Sequence, residues 1–145
     1  MIRLADPADA AMLRWDWARE RHGITGAGPD VGFTDSVTQW IAQGRTVWTA
    51  HQAEAPVGMV CLTQFERMPS PALTAGGNWG YLGHLYVLPA ARGRGFGRAL
   101  IEQVLSEARL RGYSKIVLSP TELSIPLYVR CGFTEDSGLM LWRPR

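Results

Sequence analysis

The chain has 145 residues and holds a single lysine, Lys115; the other 14 of its 15 basic residues are arginines. Without a Gly-Lys-Ser/Thr run there is no Walker-type phosphate loop. Cysteine is equally scarce. Cys61 and Cys131 stand 70 positions apart with no metal-ligand spacing, which excludes a disulfide framework and predicts two reduced thiols and no metal site. No window approaches the ~18 consecutive apolar residues of a membrane span, and the first residues lack the apolar core of a secretion signal. A cytoplasmic protein with no membrane partner is the expectation. The net charge is only +2, too small for a nucleic-acid surface, and no acidic cluster marks a polycationic ligand. Repeats and low-complexity segments are absent.

What is present is the balance of an ordinary globular chain, 46% hydrophobic and 19% charged, with a length that fits one domain over 1–145. Ile2 to Leu4 suits a short strand. Asp6-Pro7 is a helix start, with Asp6 as cap and Pro7 at the first helical position. That helix carries Ala10, Leu13 and Trp17 on one face and stops at Gly23. After a glycine-rich loop, Phe33, Val37, Trp40 and Ile41 have helical spacing up to Gly44. Thr46–His51 and Val57–Phe65 form a hairpin around Ala53–Pro56, with Gly58 as the expected bulge. A loop at Met68–Asn78 leads to a strand at Trp79–Val87.

The helix that follows is the clearest element. Leu100, Ile101, Val104, Leu105 and Ala108 make its apolar stripe, and Arg98–Glu102 and Glu107–Arg111 are i,i+4 pairs on its outer side. Gly112 ends it. Lys115–Ser119 reads as a buried parallel strand and Ile125–Cys131 as a short helix. Phe133–Asp136 and Leu139–Trp142 read as a closing hairpin. The order predicts an α/β fold: a single mixed sheet, antiparallel with one parallel crossover, flanked by helices on both faces.

Between the Trp79–Val87 strand and the long helix lies Val87-Leu88-Pro89-Ala90-Ala91-Arg92-Gly93-Arg94-Gly95-Phe96-Gly97-Arg98. Alternating glycines let backbone approach a ligand closely, and a helix starting behind them points unpaired N–H groups and a positive dipole end at it. Three arginines in seven residues add planar donors suited to phosphate. A dinucleotide fingerprint needs its third glycine where Arg98 stands, so that reading fails.

The spacing that fits is Arg92-x-x-Gly95-x-Gly97, which resembles the Arg/Gln-x-x-Gly-x-Gly/Ala element of the GNAT (GCN5-related N-acetyltransferase) superfamily. A second segment, Leu127-Tyr128-Val129-Arg130-Cys131-Gly132-Phe133, is similar to that superfamily's Leu-Tyr-x-x-x-Gly-Phe. The resemblance follows the order of elements along nearly the whole chain and is sharpest from Trp79 to Phe133. Thr121, where many relatives have Asn, and Pro126 depart from the pattern.

The resemblance implies acetyl transfer from acetyl-CoA to a primary amine of a small molecule or peptide, with no metal. It implies that the turn of Arg92, Gly93, Arg94, Gly95, Phe96, Gly97 and Arg98 holds the pyrophosphate, and that backbone at Leu85, Tyr86 and Val87 pairs with the pantetheine arm as a strand would. Tyr128 is the implied acid for the departing thiolate. For the base, Tyr81, His84, Glu122 and ordered water stay open. Strand alternation sets Tyr81, Gly83, Leu85 and Val87 on one face and His84 and Tyr86 on the other, unless a bulge shifts the register. Trp15, Trp17, Phe33, Trp40, Met68 and Trp79 are candidates for lining the acceptor site. The protein is expected to be a monomer or homodimer, and the alternative activity is that of a non-catalytic acyl-CoA-binding module.

Overall fold

A computed structural model describes residues 1–72, 77–135 and 138–144. Its centre is one five-stranded sheet whose strands lie side by side in chain order. β1 (Ile2–Leu4), β2 (Arg45–Gln52), β3 (Ala55–Phe65) and β4 (Trp79–Val87) are antiparallel neighbours, and β5 (Ile116–Val117) joins β4 in parallel. A parallel neighbour needs a crossover, and α3 (Phe96–Arg111) supplies it. The predicted mixed α/β sheet with flanking helices is therefore the observed fold.

Alternation along β3 divides the core. Val60 and Leu62 face α3 and pack with Leu82, Leu100, Ile101 and Val104. Met59 and Cys61 face the other way, onto Ala10 and Leu13 of α1 (Pro7–His22) and the flank of α2 (Val31–Ile41). Burial on both faces explains why β3 reads as a continuous apolar run. The helix ends follow the sequence signals. Asp6 accepts from the Ala8 N–H at 2.9 Å, Asp30 accepts from the Phe33 N–H at 2.8 Å, and Gly23 and Gly112 close α1 and α3 in left-handed geometry. Ala53 and Glu54, both at positive φ, make the tight β2–β3 turn.

Three expectations are corrected. Gly58 is not itself a bulge: it pairs in register with Ala50 and Val87, and the register shifts fall beside it, at Ala50/His51 and Met59/Cys61. A Cβ on Gly58 would lie 3.0 Å from the Tyr86 carbonyl oxygen and 3.2 Å from Leu100, so its glycine serves close packing. β5 has two residues rather than five. The closing hairpin is not formed among the described residues; 73–76 of the Met68–Asn78 loop, and 136 and 137 within the hairpin segment, lie outside them. Its first amide is already committed, since the Phe133 N–H donates to the Tyr128 carbonyl at 3.0 Å. Leu139, Met140, Leu141 and Trp142 stand exposed, and among the described residues none of them pairs as a strand.

Behind β4, the short helix α4 (Ile125–Arg130) closes the α3 side of the sheet through Tyr128 and Leu127. Leu100 is fully buried where α3 meets β3 and β4. Leu100→Ala should destabilise the protein by ~2–5 kcal/mol in urea unfolding, with an unchanged m-value.

Candidate active site on strand β4

β4 pairs with β3 over its length, but with β5 only at Gly80↔Ile116 and Tyr81↔Val117. Beyond Tyr81 the two strands part. The wedge between Tyr81–Tyr86 and Ser119–Thr121 is a cleft of about 380 Å³, with Tyr128 on its wall.

On its other edge β4 carries a bulge. Met59 pairs with Tyr86 and Cys61 with Gly83, so His84 and Leu85 together face Val60, and His84 takes φ +55°. This overturns the expected alternation. Leu85 and Val87 join Leu82 on the α3 face, whereas Tyr86 joins Met59 on the α1 face, the side of Cys61↔Gly83 and Thr63↔Tyr81. The His84 ring meets Trp40 of α2 edge-on at 5.4 Å. Tyr81, His84 and Tyr86 thus serve one face of the sheet.

β4 runs into the glycine turn, where a groove of about 370 Å³ is lined by Val87, Arg92, Gly93, Gly95, Phe96, Gly97, Arg98, Leu127 and Arg130 among others. Gly93 (φ +76°) and Gly95 (φ +87°) hold left-handed conformations that a side chain would strain. The first intrahelical bond behind them runs from the Ala99 N–H to the Gly95 carbonyl, leaving the amides of Phe96, Gly97 and Arg98 without helix partners. Arg94 is exposed and lies off the groove wall.

Arg92 acts differently from its neighbours. It holds Glu20 of α1 through two bonds of 2.7 and 2.9 Å and donates its Nε–H to the Val87 carbonyl at 3.0 Å. The Tyr86 hydroxyl donates to the same carboxylate at 2.9 Å. Arg92 is a brace between α1 and the turn, its charge shared with Glu20. Arg130 and Glu20 were not identified from the sequence. Arg130 could have been, as the cation two residues before Gly132 on the Tyr128 helix.

Tyr128 is buried, its ring edge-on to Phe133 at 5.6 Å, and its hydroxyl has no hydrogen-bond partner among the described residues. Burial, then Tyr81 and Cys131, pushes its phenol up to about 12, so it stays protonated throughout the working range. Tyr81 shares the cleft with it. Glu122 sits exposed on the turn before α4 and lines neither cleft nor groove.

A second cavity, of about 310 Å³, opens between α1, α2 and the sheet. Phe33, Val37, Trp40, Ile41, Val47 and Cys61 line it, and Arg14, Met59 and His84 belong to both this cavity and the cleft. Of the aromatic candidates, Phe33 and Trp40 line the cavity and Trp17 the cleft. Trp15 packs on Phe33, Trp79 stacks on Phe65 at 4.5 Å, and Met68 is exposed. His84 is held below its usual 6.5 by burial, then by Arg14 and Arg45, and its imidazole is neutral at pH 7.

Arg92, then Tyr86, holds the Glu20 carboxyl below its usual 4.5. A depressed carboxyl contributes stability above its unfolded value, and that contribution fades as pH falls through the folded one. Carbon-13 NMR should place the Glu20 midpoint below 4.5 in the native chain. In Arg92→Gln it should return toward 4.5.

Comparison with known proteins places this geometry. The model of the acetyltransferase (GNAT) family matches residues 10–133. Rat N-acetyltransferase 8B is 34% identical over 107 residues, 70% of this chain and 46% of that protein. Glucosamine 6-phosphate N-acetyltransferase of Trypanosoma brucei brucei is 37% identical over 67 residues, 46% of each chain. The chain thus spans about half the length of these two relatives. A predicted acetyltransferase from Clostridium acetobutylicum, solved with acetyl-CoA, superposes with a TM-score of 0.71 at 21% identity, over 99% of this chain and 95% of that one, a likeness of fold. With its family model covering both the bulged strand and the glycine turn, the chain belongs to the acetyltransferase (GNAT) family.

Proposed function

We propose that the protein transfers the acetyl group of acetyl-CoA to the nitrogen of a primary amine by direct attack within a ternary complex. One observation carries this reading. Three hollows follow one another along β4: the glycine groove at Val87, the cleft at Tyr81–Tyr86 where β5 no longer pairs and Tyr128 forms the wall, and the cavity that shares Arg14, Met59 and His84 with that cleft. They match coenzyme A in order. The groove offers left-handed glycines, three helix-end amides, Arg98 and Arg130 to a diphosphate, and the open edge of β4 offers amide and carbonyl groups to the pantetheine arm.

The reaction needs two proton movements. The acceptor nitrogen bonds to the thioester carbonyl carbon, the C–S bond breaks, and the products are an amide and the coenzyme A thiol. Before attack the ammonium must lose a proton, which His84 or water in the cleft receives. The burial that depresses His84, with Arg14 and Arg45 after it, also disfavours the charged form of an amine beside it, so the neutral amine forms at a lower pH than in water. Tyr128 donates its hydrogen bond to the departing sulfur. The thioester is already activated, so no covalent enzyme intermediate is needed.

Gly95→Asp puts a carboxylate and a strained backbone into the groove. It should abolish the thermal stabilisation that acetyl-CoA gives the native protein, while circular dichroism stays native; retained stabilisation would overturn the groove assignment. Tyr128→Phe should lower kcat by roughly a hundredfold, with the Kd for acetyl-CoA unchanged. Stabilisation by acetyl-CoA without release of coenzyme A to any amine would identify a binding module instead.

A further inference from the structure

Arg14 is the least accounted-for charge near the candidate site. It belongs to both the acceptor cavity and the cleft, and it is half-buried. Among the described residues it has neither an ion pair nor a hydrogen bond. Its guanidinium lies over the Trp17 ring at 3.9 Å, which fixes its position without answering its charge. A cation taken partly out of water with no counter-charge is unfavourable, and a bound anion would relieve it.

The surroundings point the same way. No carboxylate lines the cavity or the cleft. The two carboxylates on this part of α1 are occupied: Asp16 by Arg19 at 3.2 Å, and Glu20 by Arg92 and Tyr86. Trp40, which would otherwise offer a ring face to a ligand cation, already carries Arg45 at 4.3 Å. The rest of the cavity wall is apolar, with few groups able to bond the several hydroxyls of a sugar.

Resting on the acetyltransferase reading, we propose that the acceptor is a primary amine with an apolar body and an anionic group, carboxylate or phosphate, and that Arg14 binds the anion. The apolar body fills the space beside Trp40. The amine then lies at the junction of cavity and cleft, beside His84, where the acetyl group arrives.

Matched pairs test this. L-phenylalanine against phenethylamine isolates the carboxylate, and tyramine O-phosphate against tyramine isolates a phosphate. Calorimetry on the coenzyme A-loaded protein should show at least one anionic member binding roughly tenfold to a hundredfold more tightly than its uncharged counterpart. In Arg14→Gln that ratio should fall toward one, and Arg14→Lys, which keeps the charge, should restore part of it. The pair with the larger ratio identifies the anion. Equal binding within both pairs, no binding by either anionic member, or a ratio that survives Arg14→Gln would overturn the inference. Arg14-dependent binding with no release of coenzyme A from acetyl-CoA would instead uphold the acceptor chemistry and overturn the transfer reaction.

Discussion

The candidate site depends on one constraint: β4 cannot stay hydrogen-bonded to β3 and β5 together beyond Tyr81. Its pairing with β3 continues, at the cost of a bulge, and its pairing with β5 ends after two residues. The backbone groups released on the β5 side need partners, and in the proposed complex a ligand running as an extra strand would supply them. On the β3 side the bulge swings His84 onto the face of α1 and α2, where the second cavity, the proposed acceptor site, lies. The same residues build the core. Leu82, Leu85 and Val87 face α3 and anchor the strand in the core.

Around that strand the electrostatics are one-sided. Arg98 and Arg130 stand at the groove, Arg98 within 3.9 Å of Glu102, Arg14 and Arg21 stand at the cleft, and Glu20 is held by Arg92 and Tyr86. The Glu20 link has a structural purpose as well. It ties the last turn of α1 to the start of the glycine turn across 72 positions of sequence, joining a helix that walls the second cavity to the glycine groove.

Much of this was legible in the residues. Asp6, Gly23 and Gly112 carry local cap chemistry, and the helices end near where those residues place the ends. The spacing from Arg92 to Gly97, read with Tyr128 to Phe133, pointed to the family. What was missed is nonlocal. The bulge is a mismatch in residue count between β3 and β4, and nothing within Trp79–Val87 announces it. Leu139–Trp142 has a strand's composition, yet composition provides no partner, and the chain before it is held by the Phe133–Tyr128 bond. Arg14, Glu20 and Arg130 sit on helices whose faces meet the site only after the sheet has formed. Glu122 failed for the opposite reason: adjacent in sequence to the site, it points to solvent.

The raised Tyr128 phenol bears on which proton movement limits the proposed reaction. A phenol near 12 and a coenzyme A thiol near ~8.5 differ by about three and a half pH units, so complete transfer from Tyr128 to the thiolate is uphill by roughly 5 kcal/mol. Tyr128 therefore helps by hydrogen bonding to charge developing on sulfur, and water delivers the final proton. A thiolate leaves readily with that help. The amine has the harder task, because an ammonium near ~10 holds its proton firmly at pH 7. His84, depressed by burial and by Arg14 and Arg45, is a weak acceptor on its own. Burial, the largest cause of that depression, also disfavours the charged form of an amine next to it, which in the proposed reaction would keep the pair matched.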